Sequence, residues 1–292
     1  MTKRWIPLFL AVSVLGVTAC GSDGEGTSSP SSDSTLPAVA TSEPADGYSH
    51  PTGADDVVVS YAELGGFTTR EYAFRQPPSV LIAGDGRLFS PGAQIEIYPG
   101  PLLPAVQVQP IAEADILRIL AAADEAGLLA DVDYTTDTNI ADATTATVMI
   151  SANGETWVHE AYALSIDGPD TTDPMPERQA LSEFIGLLRS IGGSAGDGTI
   201  GEAALFEPTE YEIQAIVVDD LSVYGTDGIE PTVEEWPAEV SVRLADAAEC
   251  TVVPASEVGD VLTGANELTF FDDSGIVYQL LARPALPGSQ CS

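Results

Sequence analysis

Lysine is all but missing from this chain. Lys3 is the single lysine in 292 residues, and with nine arginines it stands against 45 acidic residues, a formal charge of −35. So little positive charge excludes binding to nucleic-acid phosphates or to anionic lipid headgroups through electrostatics, because both need basic residues at the contact. The acidity itself reads as solubility, or adaptation to a salty or calcium-rich exterior, with a cationic ligand or partner as the alternative. Long apolar runs are also lacking, since nothing beyond residue 19 approaches about 18 uninterrupted apolar residues. Histidine is limited to His50 and His159 and cysteine to Cys20, Cys250 and Cys291. That supply leaves little from which to complete a zinc site of about four ligands.

What is present begins with a short N-terminal segment. Lys3 and Arg4 form a charged region and Trp5 to Val17 an uncharged apolar one. Trp5 to Ala19 supplies fifteen residues interrupted by Pro7 and Gly16, short of the roughly 20 needed to span a bilayer. The small residues Thr18 and Ala19 suit a cleavage site. Val17-Thr18-Ala19-Cys20 resembles the lipobox of bacterial lipoproteins. The resemblance implies diacylglyceryl transfer to the Cys20 thiol, cleavage before it, and a mature chain anchored on the extracytoplasmic face of the cell membrane. Cleavage would remove Lys3 and Arg4 and leave eight arginines and no lysine against 45 acids, a formal charge of −37. Absence of lysine beside abundant Ala, Gly, Pro and Asp looks like a GC-rich, actinobacterial source. Outside the cytoplasm, Cys250 and Cys291 most simply form one disulfide. A loop of about 40 residues gives it about 4 kcal/mol on a chain-entropy model.

The remaining chain divides by composition. Residues 20–54 are rich in Ser, Thr, Pro, Gly, Asp and Glu and read as a disordered tether. A first domain is expected over 55–191, a Gly-rich linker over 192–205, and a smaller disulfide-stapled domain over 206–292. Val57 to Tyr61 reads as a strand, and Ser79–Ala83 with Arg87–Ser90 as a hairpin turning at Gly84-Asp85-Gly86. Gln94 to Tyr98 alternates with period two and is expected to be a strand, and Val106 to Val108 a shorter one. Ala112 to Ala126 is predicted as a helix with Gly127 just past its end. Ala146–Ile150 and Thr156–Tyr162 form a second hairpin about Asn153-Gly154. Glu177 to Ile191 is a second helix, with Leu181, Phe184, Ile185 and Leu188 on one face. In the second part, Glu212–Val218, Val240–Leu244 and Cys250–Val253 are expected strands. Ser256 to Leu262 is expected as a helix with Ser256 as N-cap. Leu268–Phe271 and Ile276–Ala282 make a hairpin. Hairpins interleaved with helices define an α+β class, in two small domains with antiparallel sheets.

The order Gly84-Asp85-Gly86, then Ile116 to Leu129, then Thr135-Thr136-Asp137 to Thr147, then Leu181 to Ile191, resembles a family of uncharacterised bacterial extracytoplasmic domains. The tail Arg283-Pro284-Ala285-Leu286-Pro287-Gly288 before Cys291 resembles the ends of actinobacterial secreted proteins. These resemblances bring no activity and no site residues.

No catalytic constellation in the chain is intact. Gly192 to Gly196 satisfies G-x-S-x-G, but a helix precedes it where a nucleophile elbow needs a strand. Gly196 to Gly201 satisfies G-x-G-x-x-G without the preceding strand of a dinucleotide site. Asp131, Asp133 and Asp137 alternate as a calcium loop does. Yet the sixth and twelfth positions, Thr136 and Asp142, are not the Gly and Glu of an EF-hand; they remain weak calcium candidates, with Asp167, Asp170 and Asp173 as a second acidic loop. Acidic neighbours such as Asp219-Asp220 face opposite sides of a strand. No catalytic residue and no cofactor emerges. The expected function is a membrane-anchored envelope lipoprotein acting as a non-enzymatic binding or interaction module with an unidentified ligand. The alternative is a calcium-dependent or carboxylate-based envelope hydrolase.

Overall fold

A computed structural model describes residues 47–136, 140–164, 175–193, 200–225, 228–289 and 291. Residues 44–292 gather into one compact unit, built on two sheets. In chain order the first sheet takes β1 (Val57–Gly65), β2 (Val80–Ala83), β3 (Arg87–Pro91) and β4 (Val106–Pro110). A short helix α1 (Arg70–Arg75) lies between β1 and β2. Helix α2 (Glu113–Glu125), β5 (Thr144–Ala152), β6 (Glu155–Tyr162), helix α3 (Pro176–Gly193) and the two-residue β7 (Ala204–Leu205) follow. The second sheet takes β8 (Glu210–Val217), β9 (Thr232–Glu235), β10 (Thr251–Pro254), β11 (Thr269–Asp273) and β12 (Ile276–Pro284), with helix α4 (Ala255–Gly264) after β10. Strand order is β6-β5-β1-β2-β3-β4-β7 in one sheet and β10-β8-β12-β11-β9 in the other. Every pairing is antiparallel except β9 with β11, so the α+β class holds.

Local chemistry explains the elements. Asn153 and Gly154 both have positive φ, 54° and 81°, as a two-residue turn of the right twist for β5 and β6 requires. Helix α2 carries Glu113 and Asp115 in its first turn, where the exposed N–H groups favour negative charge. It stops in a Schellman arrangement: Gly127 has φ +72°, its N–H donates to the Asp124 carbonyl at 2.8 Å, and Leu128 N–H to the Ala123 carbonyl at 2.8 Å. Ile116, Leu120 and Ala123 of α2 and Leu181, Phe184, Ile185 and Leu188 of α3 bury against Val58, Val59, Tyr61, Ile82, Val148 and Ile150 of the first sheet. A bulge between Val57 and Val59 lets the successive residues Val58 and Val59 both enter this core.

The second sheet buries Tyr211, Ile213 and Ala215 of β8 against Val258 and Leu262 of α4, together with Trp236, Leu244, Phe271 and Leu280. Leu102, from the segment joining β3 to β4, belongs to this second core. It is held there by its N–H on the Ala265 carbonyl at 3.1 Å and by a bridge between Pro101 and Asn266. Cys250 and Cys291 form a disulfide, 5.2 Å apart at Cα and 41 residues apart in sequence.

Several expectations are corrected. Gln94 to Tyr98 is not a strand: Ile95, Ile97 and Tyr98 are exposed and no neighbour pairs with them. Val240 to Leu244 leads into a 3₁₀ turn at Leu244–Asp246 rather than a strand. Helix α4 begins at Ala255 after Pro254, without a side-chain cap from Ser256. In the stretch expected as a linker, Ile200 bridges Ile111 and Ala204–Leu205 pair with β4. Within the stretch expected as tether, Tyr48 donates its hydroxyl to Asp124 at 2.7 Å and His50 meets Glu113 at 3.1 Å. No described helix is long and apolar enough to cross a membrane.

Candidate functional site

The face of the first sheet turned away from α2 and α3 forms the floor of a cavity of about 290 Å³. Strand alternation and register assemble that floor. Ser60 sits opposite Met149 and Ala62 opposite Thr147 across β1 and β5, and Leu81 of β2 pairs with Ser60 on the other side. One wall is Pro284, at the end of β12, with Leu286 to Ser289 after it; the other is the end of α1 and its continuation, Arg75 to Pro78, with Pro104. The volume is at the lower end of the range for small-molecule sites, and the mostly apolar lining is typical of them.

The tail wall is fixed at three points. Ala285 N–H donates to the Glu210 carbonyl and Gly288 N–H to the Asp55 carbonyl, both at 3.0 Å, and the disulfide holds Cys291 beyond them. Gly288 has φ +74°, and a Cβ there would lie 2.6 Å from Val57 Cγ2. Only glycine lets the tail approach β1 so closely.

A polar cluster closes one end. Glu212 on β8 and Arg283 on β12 are cross-strand partners. The Glu212 side chain is 2% exposed, and its Oε2 accepts from Arg283 Nε. Arg283 also donates Nη1 to the Phe74 carbonyl at 3.0 Å and stacks its guanidinium 4.8 Å from the Phe74 ring centre. Arg75, next along the chain, donates Nη1 to Glu267 Oε1 at 2.8 Å and Nη2 to the Pro101 carbonyl at 2.6 Å. Two buried polar atoms of this cluster have no hydrogen-bond partner, Glu212 Oε1 and Arg75 Nε. Both residues line the cavity. Leaving such a group unpaired costs about 1–3 kcal/mol, and both atoms are almost wholly out of reach of solvent.

The residues singled out in the sequence lie elsewhere. His159, on β6, is 1% exposed. Its Nε2 donates to the Leu128 carbonyl at 2.8 Å and its Nδ1 accepts from the Tyr134 hydroxyl at 3.0 Å. Burial holds its pKa below the ordinary histidine value, against the Leu128 bond and the Asp131 charge, which act to raise it. With both nitrogens occupied and no exposure it is a structural histidine. The Tyr134 hydroxyl is pushed up to about 12, mainly by burial and then by Glu177.

Asp133 Oδ1 accepts from both the backbone N–H and the hydroxyl of Thr135, at 2.9 and 2.6 Å, and these bonds hold its carboxyl below the usual range. It borders a wide, open depression of about 570 Å³ with Glu160 and Tyr162. Asp137, the loop of Asp167, Asp170 and Asp173, and the serine of the G-x-S-x-G match fall outside the described residues. Among the described residues, one set of three His, Cys, Asp or Glu ligand atoms lies close enough to hold an ion, Glu212 with Cys250 and Cys291. The disulfide takes both sulfurs out of such a set. Asp131 and Asp133 are not part of one.

Sequence reasoning missed Arg75, Glu212 and Arg283. One signal was available: with so few basic residues, each arginine is conspicuous, and Glu212 and Gln214 alternate with Tyr211, Ile213 and Ala215 on a strand otherwise fit for a core. Comparison of the chain with protein families, with curated proteins and with solved structures finds no match.

Proposed function

We propose that the protein is a cell-envelope lipoprotein anchored through Cys20 on the extracytoplasmic face. Its body, in this reading, is a non-enzymatic module that takes a small ligand in the cavity between the two sheets. The anchor rests on the run Val17-Thr18-Ala19-Cys20 behind a short apolar segment. The ligand-binding reading is carried by one observation: a mostly apolar cavity of about 290 Å³ on the free face of the first sheet, bounded at one end by the Glu212–Arg283 pair. A net charge far below zero keeps such a body soluble and off anionic surfaces, so attachment would come from the lipid and not from the protein surface.

The two parts of the proposal are tested separately. N-phenyl-1-naphthylamine, a neutral apolar dye that brightens in dry sites, is titrated against the full chain carrying Cys20→Ser. Saturable 1:1 brightening is expected, and it should be lost in Ala62→Trp, which fills the cavity from its floor. Equal brightening in that variant would remove the cavity from the proposal. For the anchor, mass spectrometry of the N-terminal peptide from a bacterial membrane fraction should show a diacylglyceryl-modified Cys20. An acyl-dependent membrane association that survives Cys20→Ala would overturn it.

A further inference from the structure

Four strands end the two sheets, and three of them are poor templates for a further strand. β7 has two residues, β10 has four and closes on Pro254, and β9 has four and ends in Glu234 and Glu235. β6 differs. It runs for eight residues without proline, and its register with β5 is unbroken from Thr145 opposite Tyr162 to Ala152 opposite Glu155. Sheets usually blunt such an edge with charge, proline, a bulge or a cover, because its bare N–H and C=O groups recruit other chains. In an antiparallel pair, residues alternately exchange both backbone bonds with the neighbouring strand and turn both away from it. The Ala163 N–H on the Thr144 carbonyl, at 2.9 Å, extends the ladder of β5 and β6 and fixes its phase. Glu155, Trp157, His159 and Ala161 therefore bond to β5, while Thr156, Val158, Glu160 and Tyr162 turn their backbone groups off the edge. Arg178 takes the Tyr162 carbonyl at 2.9 Å. The backbone groups of Thr156, Val158 and Glu160 meet no described residue, and all three residues are exposed, Val158 at 57%.

The same strand borders the open depression of about 570 Å³, which residues 132–136 also line. The lining includes the carboxylates of Asp133 and Glu160 and no basic residue. Along β6, the exposed residues Val158, Glu160 and Tyr162 read apolar, acidic, apolar at alternate positions. A second copy of this chain would bring another Glu155 and Glu160 to the edge, in a chain of formal charge −35, and like charges across strands oppose pairing. We propose that β6 binds an extended cationic peptide segment by strand addition, with a lysine or arginine opposite Glu160 and apolar residues two positions to either side of it. The pattern apolar-x-basic-x-apolar meets Val158 and Tyr162 in either strand direction. Main-chain bonds to residues 156, 158 and 160 supply the affinity, and the alternate side chains select the partner. This edge is separate from the cavity, and the proposal stands whether or not the cavity holds a ligand.

The test titrates the full chain carrying Cys20→Ser into a labelled heptapeptide, Thr-Val-Thr-Arg-Thr-Val-Thr, blocked at both ends, and into its counterpart with Glu in place of Arg. Fluorescence anisotropy should show saturable 1:1 binding of the arginine peptide, about fivefold tighter than the glutamate peptide, the ratio expected when one cross-strand charge pair replaces a like-charge one. Amide hydrogen exchange at Thr156, Val158 and Glu160 should slow in the complex. Val158→Pro removes an outward N–H that β5 does not use, so the variant should melt near the native temperature and lose the peptide. Glu160→Arg should reverse the order of the two peptides, and this reversal decides the matter should Val158→Pro fail to fold. Absence of binding at millimolar peptide overturns the proposal. So does binding that leaves those three amides unprotected, binding that a folded Val158→Pro retains, or an unchanged peptide order in Glu160→Arg. Self-association of the peptide-free chain that Val158→Pro abolishes would give the edge to a second copy and overturn it as well.

Discussion

His159 shows how the fold makes one of two histidines a fixture of the interior. The Schellman end of α2 turns the Leu128 carbonyl towards β6, and His159 Nε2 fills it while Tyr134 donates to the other nitrogen. The folded protein therefore holds one neutral tautomer, with a pKa below the unfolded value near 6.5. The sign of the linkage follows. Above about pH 6.5 this contribution to stability is complete, and it is lost as pH falls from there through the folded pKa, because the unfolded chain binds the proton first. Thermal midpoints measured from pH 7.5 to 5 should fall in the native protein by more than in His159→Gln, which can donate and accept without titrating. Parallel curves would assign the acid sensitivity elsewhere. His159→Ala at pH 7.5 should cost about 2 kcal/mol or more in chemical denaturation, since it strands the Tyr134 hydroxyl and the Leu128 carbonyl.

At the scale of elements, the two glycines that shape the chain around these sites differ in what they risk. Gly127→Ala puts a Cβ on a residue at φ +72° with open space around it, so about 1 kcal/mol of strain is expected and no change at the cavity. Gly288→Ala adds the same strain and drives the Cβ into Val57. It should lower the thermal midpoint further and weaken dye binding together with it; undiminished binding would show that the tail is not a wall of the site. Gly127 was readable beforehand, because helix periodicity stops just before it and Leu128 follows. So were the hairpins at Gly84-Asp85-Gly86 and Asn153-Gly154, where local residue choice dictates the turn. Gln94 to Tyr98 misled because alternation encodes a half-buried strand only if a partner strand arrives, and β4 pairs with β3 instead. The cavity was illegible for a related reason. Glu212 and Arg283 meet through register across 71 residues, and neither neighbourhood contains a trace of the other.

For the molecule as a whole, charge and cross-linking set the limits. A chain with 45 acids repels itself, and added salt screens that repulsion. The thermal midpoint should therefore rise between 10 mM and 0.5 M sodium chloride, and a flat response would mean that the seven described ion pairs and local hydrogen bonds already neutralise the strain. Cys291→Ser should cost about 4 kcal/mol for a loop of 41 residues, read by denaturant titration against the oxidised protein. The same topology imposes an order in time. The cavity floor comes from β1, near the start of the described body, and its far wall from residues 284–289, near the end. A chain leaving the ribosome or crossing a membrane from its N-terminus would lay down the floor early and stay without a site until nearly all of it had emerged. On the proposed function, ligand binding would thus mark chains whose synthesis had run past β12, and proteolytic loss of residues 285–291 would remove a wall of the cavity while leaving the strands of both sheets in the chain.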